Sequence, residues 1–386
     1  MPPSNHARDG TRGAGAVLTV DLDAVAANYA HLAGRLAPKS ECAAVVKADA
    51  YGLGLDAIAP ALWNAGARRF FVALAEEGLA LRALLPDARI YVFNGVEADE
   101  APDLAEAGLI PVLNHMGQIK AWAGHARDRA SSLKAVIHVD TGMNRLGLSA
   151  AEAEAVAADP GCLSGLAVEA VMSHLACADE ADNPLNTEQC DRFRHVLGGL
   201  APLAPFKASL ANSSGIFLGA SYHFDLVRPG AALYGLNPHA SEPNPMAQVI
   251  KLEGKILQTR IIDTPSTVGY GATHRAAPGQ RIATVGVGYA DGFIRSLSNS
   301  AGAFIGGVRV PIVGRVSMDL ITLDVSDIPA GATRPGCVVE LIGADHSADD
   351  LAAEASTIGY EILTALGHRY TRRYLGARNH LGAATP

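Results

Sequence analysis

Between residues 43 and 228 the chain repeats one pattern eight times: a short apolar run, then a stretch with helical character that is rich in alanine and leucine. The runs are AAVVK (43–47), RFFVAL (69–74), RIYVF (89–93), IPVL (110–113), AVIHV (135–139), AVEAVMSH (167–174), KASLA (207–211) and FDLVR (224–228). Continuous apolar runs bounded by helices are typical of parallel strands buried on both faces. Eight such units predict a (β/α)8 barrel of the TIM type, and an open doubly wound sheet is the alternative.

The sequence changes character after about residue 245. Strand-like segments follow one another closely, punctuated by Gly, Pro and Asp, and helical periodicity returns only near residues 352–366. This pattern predicts a separate, mainly β domain over 246–386, after a barrel over 17–245. The early run VLTVDL (17–22) fits either domain. Residues 1–16 are polar and rich in Gly and Pro, so we expect them to form a flexible tail. They lack the apolar region of a signal peptide.

Composition excludes several classes of protein. The 386 residues include 31 basic and 39 acidic side chains, a net charge of -8 that does not favour a nucleic-acid-binding face. No apolar run approaches the roughly 20 residues that span a bilayer. The five cysteines are scattered and form no C-x-x-C pair, so neither a disulfide framework nor a metal site is expected. A cytoplasmic location fits this cysteine usage best.

Polar residues at the ends of the predicted strands indicate chemistry at one rim of the barrel, because the carboxyl ends of parallel strands meet there. These residues are Lys47, Arg145 in the loop DTGMNRLG, His174, the turn Asn212–Gly215 and Arg228. The rim has no dominant pair of carboxylates of the kind glycosidases use, and the chain has no G-x-S-x-G nucleophile turn.

Lys47 closes an apolar strand, where burial would lower its pKa and make its amine a better nucleophile. Its alternative role is that of a lysine whose stem packs on the rim while the amine reaches water. The turn 212–215 has backbone N–H groups and hydroxyls that suit a phosphate, although an ordinary helix cap explains it equally well. Taken together, a lysine nucleophile, an anion cradle and a flat ring such as His174 are what pyridoxal phosphate (PLP) requires.

At these positions the sequence resembles the alanine racemase family of PLP enzymes. The resemblance covers nearly the whole chain after the tail. It is carried by AVVKADAYGLG (44–54), VDTGMNRLG, SHLA around His174, ANSSG, VRPGAALYG, VGYGATH, VGYADG, PIVGRVSMD and GYEI, in the family's order and rough spacing. The first of these motifs is similar to the family's PLP-lysine motif and is highly specific.

The resemblance implies a role for each matching residue. Lys47 would bind PLP through a Schiff base and act as one catalytic base, and Tyr270 would be the second base. His174 would lie against the pyridine face, and Arg228 would face the pyridine nitrogen. The cofactor phosphate and its surroundings would be contacted by Tyr51, Asn212, Ser213, Gly230, Ala231 and Tyr360.

The same resemblance implies how alanine is bound. Arg145 would lie near the cofactor's phenolic oxygen and the substrate, and Met318 would help to hold the substrate carboxylate. Tyr289 and Tyr360 would narrow the access route. Because Tyr270, Tyr289 and Met318 come from the partner subunit in this family, a head-to-tail homodimer with shared active sites is implied.

One position departs from the family pattern. Many members carry a lysine, sometimes carbamylated, on the strand before the D-T-G-M turn, whereas this chain has His138. Histidine cannot form a carbamate, so the orientation of Arg145 must depend on the imidazole, a bound anion or another residue. Asn144 also replaces a common glycine.

These observations predict a racemase that interconverts L- and D-alanine and supplies D-alanine for peptidoglycan. One alternative is a racemase that acts on a broader set of amino acids, such as serine or lysine. A non-catalytic PLP-binding protein is a further alternative, but such proteins resemble the barrel alone and lack the segment that carries Tyr270 and Met318.

Overall fold

The computed structural model describes residues 15–239 and 241–376, so the predicted tail lies almost entirely outside the described residues. The chain divides into two compact units. The first comprises Asp23–Ala247, and the second combines the residues up to Leu22 with those from Gln248 onward. The family resemblance and the eight-fold repeat both anticipate this division into a barrel and a second domain.

The first unit is built on short parallel strands. Seven of them pair side by side in chain order as one sheet, β3 to β9, and β2 pairs with β10. Their bounds are β2 Glu41–Cys42, β3 Ala44–Val45, β4 Arg69–Val72, β5 Arg89–Val92, β6 Ile110–Leu113, β7 Leu133–His138, β8 Leu166–Met172, β9 Lys207–Ser209 and β10 Leu226–Val227.

Strand β10 connects the two edges of this curled sheet. Its neighbours Asp225 and Arg228 donate backbone hydrogen bonds to the carbonyls of Ala208, which lies in β9, and Ala211, which follows β9. On its other side, Val227 accepts a backbone hydrogen bond from Ala43, the residue that separates β2 from β3. If β2 and β3 are counted as one interrupted strand, eight parallel strands follow the eight apolar runs, and the predicted barrel is confirmed.

Helices alternate with these strands. They are α1 Leu22–Gly34, α2 Lys47–Gly52, α3 Leu55–Asn64, α4 Ala75–Leu84, α5 Ala101–Glu106, α6 Met116–Asp128, α7 Ala150–Ala158 and α8 Pro184–Gly199. Helix α7 begins with a capping box, because the Ser149 hydroxyl accepts from the Glu152 amide and the Glu152 carboxylate accepts from the Ser149 amide. Apolar side chains on the strands and inner helix faces form the core of this unit.

The amino ends of the strands are closed by a network of paired charges, which we call the barrel floor (Glu41, Arg69, Tyr91, Lys134, Glu169 and Lys207). The buried Arg69 contacts a Glu41 carboxylate oxygen at 2.5 Å and the Tyr91 hydroxyl at 2.5 Å. Glu169 accepts from Tyr91 at 2.9 Å and pairs with Lys134 at 3.0 Å, while Lys207 pairs with Glu41 at 2.7 Å. Although burial raises the pKa of Glu169, hydrogen bonds from Lys134 and Tyr91 hold it below its usual value.

The second unit is mainly β, as the sequence predicted. Its large sheet has the order β16-β15-β18-β11-β1-β19, with β14 joining β11 and β17, and β12 pairs with β13 as a hairpin. The bounds are β1 Ala16–Asp21, β11 Ile250–Ile261, β12 Ser266–Val268, β13 His274–Ala276, β14 Arg281–Val285, β15 Gly302–Ile305, β16 Val308–Pro311, β17 Ile321–Asp324, β18 Val338–Ile342 and β19 Thr371–Leu375, with helices α9 Ala348–Glu354 and α10 Gly359–Ala365.

The position of β1 resolves the ambiguity of residues 17–22. This strand pairs antiparallel with β11 and parallel with β19, so it belongs to the β unit and not to the expected barrel range of 17–245. The partners lie more than 200 residues away in sequence, which is why local pattern could not assign it. Within residues 15–239 and 241–376, no helix is long and apolar enough to cross a membrane.

Candidate active site

Lys47 follows β3 after one intervening residue, Val46, at the carboxyl end of the barrel strands. The four residues that follow it, 48–51, all have positive φ angles between 52° and 57° and form a left-handed helical turn. Such a turn costs roughly 1–2 kcal/mol per residue for L-amino acids, and none of the four is glycine. Strain of this kind persists only where the surroundings fix the chain.

Two carboxylates fix this turn. Glu77, in the first turn of α4, accepts a hydrogen bond from the Ala48 amide at 2.6 Å and another from the Ala73 amide at 2.7 Å. Asp49 accepts from the Leu55 amide at 2.7 Å, which joins the turn to α3. The turn therefore gives Lys47 a defined backbone position at the barrel rim.

The Lys47 amine is set in a partly buried, cationic environment. Its Nζ lies 5.9 Å from the centroid of the Phe93 ring. Burial lowers the pKa of the amine, the Arg145 guanidinium lowers it further, and Glu77 opposes both effects. The fraction of neutral amine at a given pH is thus larger than for an exposed lysine.

Tyr51 is buried beside the loop that follows β10. Its ring lies 4.6 Å from the ring of Tyr234, whose hydroxyl donates to the Val45 carbonyl at 2.8 Å. A Cβ atom on Gly230 would come within 2.2 Å of the Tyr51 hydroxyl, so only glycine permits this approach. The phenol of Tyr51 is therefore held against the backbone at Gly230.

Ser213 lies at the same place and collects two backbone donors. Its Oγ accepts from the amides of Gly230 at 3.0 Å and Ala232 at 3.2 Å. Since a hydroxyl has one proton and two lone pairs, the Ser213 proton is left to point at a further acceptor. The neighbouring Asn212 uses its side-chain oxygen to accept from the Gly215 amide at 2.9 Å, so this atom caps the turn.

Arg228 is buried at the carboxyl end of β10. Its Nη2 donates to the Ser173 carbonyl at 2.6 Å and lies 3.5 Å from His174 Nδ1, and its Nη1 donates to the Ser209 hydroxyl. Burial lowers the pKa of the guanidinium to about 9, so it is still a cation at neutral pH. Its Nε is a buried donor without a partner among the described residues.

His138 and Asn114 form a second buried pair at the rim. Asn114 Nδ2 donates to the carbonyls of Phe93 and Val112, both at 2.9 Å, so its Oδ1 must be the atom that faces His138 Nδ1 at 2.7 Å. An oxygen acceptor at this place requires a proton on His138 Nδ1. Burial, and then the Arg228 guanidinium, lower the pKa of His138 to about 4, so the ring is neutral and Nε2 keeps its lone pair.

The predicted loop after β7 is organised by one carboxylate. Asp140 accepts from the backbone amides of Gly142, Met143 and Asn144, each at 2.9 Å. Asn144 has φ +54, a left-handed conformation that asparagine tolerates better than most residues. The side chain of Arg145, next in the chain, is exposed.

His174 is half-buried beside Arg228. Burial, and then the Arg228 guanidinium, lower the pKa of the His174 imidazole.

The remaining predicted site residues belong to the second unit, and they are exposed within it. Tyr270 is 73% exposed on a short turn, between Gly269 and Gly271, which both have φ +72. The backbone of Arg315 lies against Gly269 and its guanidinium against Gly271. A cavity of about 400 Å³ is lined by Gly269, Tyr270, Thr284, Arg315, Ser317, Leu320 and Thr322.

Met318 and Tyr289 are brought together by the backbone. The Tyr289 amide donates to the Ser317 carbonyl at 3.0 Å, and the Ala290 amide donates to the Met318 carbonyl at 2.9 Å. Both side chains are more than 40% exposed. Tyr360 lies near the start of α10 and is also exposed.

Three features of the first unit fit the PLP that the resemblance implies. The orphaned Nε of Arg228 is a donor that a heteroaromatic nitrogen could satisfy. The Tyr51 hydroxyl lies so close to Gly230 that no side chain fits at position 230, and the Ser213 hydroxyl beside it keeps one proton to donate. Two hydroxyl groups next to the Gly230 backbone suit a phosphate. The Lys47 amine lies at the same carboxyl edge of the barrel and has a lowered pKa, as bond formation to an aldehyde requires.

Several residues of this site were missed by sequence reasoning. Glu77, Asn114 and Tyr234 had no assigned role, yet each fixes a predicted residue. Asn114 stands directly after the run IPVL and could have been found by the same rule that identified Lys47. Glu77 follows an apolar run by three residues but lacks the Ser or Thr of a capping box, so its sequence signal is weak.

Comparisons with known proteins agree with this geometry. A family model described as "Alanine racemase, N-terminal domain" matches residues 20–238, and one described as "Alanine racemase, C-terminal domain" matches residues 249–374. A protein from Rhodospirillum rubrum named "Alanine racemase" is 54% identical, over 95% of this chain and 98% of its own length. One from Mesorhizobium japonicum, named "Alanine racemase, catabolic", is 50% identical over 94% of each chain.

Solved structures give the same result. The alanine racemase of Bartonella henselae, described with covalently bound pyridoxal phosphate, has a TM-score of 0.90 and 42% identity, covering 94% of this chain and 100% of its own. The biosynthetic alanine racemase of Pseudomonas aeruginosa has a TM-score of 0.86 and 38% identity, with the same coverage. On the family models and the close relatives together, this chain belongs to the alanine racemase family.

Proposed function

We propose that this protein is a PLP-dependent alanine racemase that interconverts L- and D-alanine by moving the α-proton between two bases, Lys47 and Tyr270. The single observation that carries the proposal is the partly buried Lys47 amine at the barrel rim, fixed by a strained left-handed turn and lowered in pKa. When bound, PLP supplies an electron sink that acidifies the α-hydrogen of an attached amino acid.

Lys47 has two tasks in this proposal. Its amine would hold the cofactor covalently, and once free of that bond the same amine would accept the α-proton of alanine or, as the ammonium, return it. Covalent bonding and acceptance of the proton both need the neutral amine, which the lowered pKa favours, whereas return of the proton needs the protonated amine. The turn 48–51 defines the backbone position of Lys47, and the Phe93 ring lies 5.9 Å from the amine.

Arg228 limits the chemistry to racemisation. Its Nε would donate a hydrogen bond to the ring nitrogen of the cofactor without transferring a proton, because a guanidinium with a pKa near 9 keeps its proton at neutral pH. A ring nitrogen that stays unprotonated is a weaker electron sink, which disfavours transamination and decarboxylation. The contacts of Arg228 with Ser173 and Ser209 hold its orientation.

The cofactor phosphate would be bound by Tyr51, Ser213 and the backbone around Gly230 and Ala231, and the family resemblance adds Tyr360. Arg145 and Met318 would contact the carboxylate of alanine, and Tyr289 would narrow the access route. Tyr270 would serve as the second base on the opposite face of the substrate. Because Tyr270, Met318 and Tyr289 are exposed within their own unit, they are available to complete the site of another copy, and we infer a head-to-tail homodimer.

A chiral product assay over the common amino acids tests the reaction and its breadth. We expect the holoenzyme to convert L-alanine to an equal mixture of enantiomers and to act far more slowly on serine and lysine. Comparable rates on several amino acids would support a broad-specificity racemase instead. Bound PLP without any exchange of the alanine α-hydrogen with solvent deuterium would support a non-catalytic PLP-binding protein.

Replacement of Tyr270 by Phe tests the second base. We expect the variant to bind PLP normally and to lose roughly 10²–10⁴-fold in kcat/KM, the usual contribution of a positioned acid or base. Exchange of the α-hydrogen with solvent should persist from one enantiomer only, because Lys47 is intact. Tyr222→Phe is the control, because this half-buried tyrosine on a short turn of the first unit has no role in the proposed reaction and its hydroxyl faces Thr187, at 3.4 Å. Racemisation at the wild-type rate in Tyr270→Phe would exclude a two-base mechanism with this tyrosine.

Mixing two inactive variants tests the shared site. If Tyr270 acts in the site of the partner, hybrids of Lys47→Ala and Tyr270→Phe subunits contain one intact site and regain part of the activity. Failure to regain activity after demonstrated subunit exchange would contradict the shared site, because every site would then contain a Lys47 and a Tyr270 from the same chain.

The physiological role is a separate part of the proposal. We propose that the protein supplies D-alanine for peptidoglycan, and the name of the Mesorhizobium relative supports alanine breakdown as the second candidate. Rescue of a bacterial strain that requires external D-alanine would show that the rate suffices for cell-wall synthesis. Expression induced only by alanine would favour breakdown. The cytoplasmic location expected from the cysteines stays a prediction.

A further inference from the structure

Two turns of the second unit lie side by side and carry two of the proposed substrate residues. The first is the short helical turn Tyr289–Asp291, and the second is the segment 317–319, which contains Met318. Besides the two backbone hydrogen bonds between them, the turns approach so closely that a Cβ on Gly288 would lie 2.4 Å from the carbonyl oxygens of Ser317 and Met318. Their relative position is therefore tightly defined at the backbone of Gly288.

One guanidinium bridges the far ends of both turns. Arg369 Nε lies 3.0 Å from Asp291 Oδ1, and Arg369 Nη1 lies 2.8 Å from Asp319 Oδ1. Each turn thus contributes one carboxylate to the same arginine. The planar fork of arginine can contact two carboxylates at once with fixed geometry, whereas the compact ammonium of lysine cannot reproduce that geometry.

The two carboxylates differ in how firmly they are held. Asp291 has a side chain that is only 8% exposed, accepts from the Gly288 amide at 2.8 Å through Oδ2, and accepts from the Gly367 amide at 2.9 Å through its carbonyl. Asp319 has a side chain that is 55% exposed and directly follows Met318. Arg369 therefore connects a buried anchor, Asp291, to the exposed end of the segment that carries Met318.

We propose that Arg369 is a positioning residue for substrate binding, because it holds Met318 beside Tyr289 by bridging Asp291 and Asp319. The proposal rests on the function proposed above, in which Met318 and Tyr289 contact alanine. Arg369 itself touches neither substrate nor cofactor in this account. Its effect is exerted on binding and not on proton transfer, so it should change KM more than kcat.

The substitution Asp319→Asn tests the bridge most cleanly, because it leaves the Arg369–Asp291 pair intact. We expect KM for L-alanine to rise roughly three- to tenfold, with kcat within about twofold of the wild type. The melting temperature should not change, since an exposed ion pair contributes little to stability. Arg369→Lys should give the same rise in KM, and Arg309→Gln, which removes another exposed pair of this unit, with Glu354 at 2.7 Å, should leave KM unchanged.

A second measurement does not depend on activity. Hydrogen–deuterium exchange in the holoenzyme should be faster at residues 289–290 and 317–319 in Asp319→Asn than in the wild type, and unchanged in Arg309→Gln. Unchanged KM together with unchanged exchange in Asp319→Asn would overturn the proposed bridge. A wild-type protein that racemises no alanine would instead overturn the proposed function, while the exchange experiment would still decide whether Arg369 orders the segment.

Discussion

The two ends of the barrel in the first unit carry similar side chains in opposite states. At the floor, Arg69, Lys134 and Lys207 each pair with Glu41 or Glu169. At the rim, Lys47, Arg145 and Arg228 form no ion pair among residues 15–239 and 241–376, although they are close enough to affect one pKa, that of His174. The cations are therefore neutralised at one end and left in excess at the other.

This difference separates stability from function. The charges at the floor close the barrel, and because each is paired with an opposite charge they attract charged ligands only weakly. An excess of positive charge at the rim costs stability through repulsion and burial, and it is the arrangement expected if the proposed anionic cofactor and substrate bind there. The same end also contains the strained turn 48–51 and the unpartnered Nε of Arg228.

The largest expected effect comes from removing the central cation of the rim. Lys47→Ala should abolish racemisation and the visible absorbance of covalently bound PLP, because Lys47 is the one lysine that follows a barrel strand at the rim within residues 15–239 and 241–376. Its free energy of unfolding should be unchanged or higher without cofactor, since a desolvated charge is removed. Absorbance spectra and urea unfolding of the apoprotein measure both. Retention of the absorbance after substitution would disprove the role of Lys47.

Breaking the floor should have the opposite result. Arg69→Met removes the buried partner of Glu41 and Tyr91 and should lower the free energy of unfolding by about 2–3 kcal/mol. This is less than the cost of breaking a fully buried ion pair, because Glu41 is half exposed and keeps Lys207. PLP affinity per folded molecule should stay near the wild-type value. The control is Arg89→Met, because Arg89 is half exposed and 3.8 Å from Glu169, and it should cost less than about 1 kcal/mol. Equal effects of the two substitutions would contradict the structural role of the floor.

A smaller effect concerns pH and His138. Since the folded state lowers the pKa of His138 from 6.5 to about 4, the unfolded state binds more protons between these two values. Stability from this residue is thus complete above pH 6.5 and declines as the pH falls toward 4, by at most about 3 kcal/mol. Urea unfolding from pH 7.5 to 4 should show a steeper loss in the wild type than in His138→Leu.

The state of the His138 ring can be read directly by nitrogen NMR. With histidine labelled by 15N, the resonance that disappears in His138→Leu should show a protonated Nδ1 and an unprotonated Nε2 at pH 7. A proton on Nε2, or a positively charged ring, would contradict the hydrogen-bond arrangement around Asn114. Identical pH slopes for the two proteins would contradict the pKa direction.

The smallest effect lies away from both ends of the barrel. Ser149→Ala removes the cap of α7 on the outer surface and should lower the free energy of unfolding by about 1 kcal/mol, with KM and kcat unchanged. Thermal unfolding and steady-state kinetics measure these quantities. A change in kinetics would show that α7 influences the preceding loop around Asp140, which would weaken the distinction between rim and scaffold.

Much of the barrel could be predicted because its signals are local. Each of the eight apolar runs contains a strand or most of one. Ser149 and Glu152 correctly marked the start of α7. The rim residues Lys47, His174, Ser213 and Arg228 followed from one rule, that parallel strands present their carboxyl ends on one side. The family motifs then gave each of them an expected role.

The features that sequence did not predict depend on distant partners. The left-handed turn 48–51 contains no glycine. It is held by Glu77, which accepts from the Ala48 amide, and by Asp49, which accepts from the Leu55 amide. Strand β1 joined the β unit because its neighbours β11 and β19 are at the other end of the chain. The bridge of Arg369 between Asp291 and Asp319 likewise joins three separate segments.

The sequence alone determined the architecture and the chemical types at the rim, since hydrophobic periodicity and strand ends are properties of neighbouring residues. Tertiary structure decided the protonation and orientation of those groups. The pKa of Lys47, the proton on His138 Nδ1 and the unpartnered Nε of Arg228 all depend on burial and on atoms from other strands. Electrostatic energies depend on distance and solvent exposure in space, and neither quantity can be obtained from the order of residues.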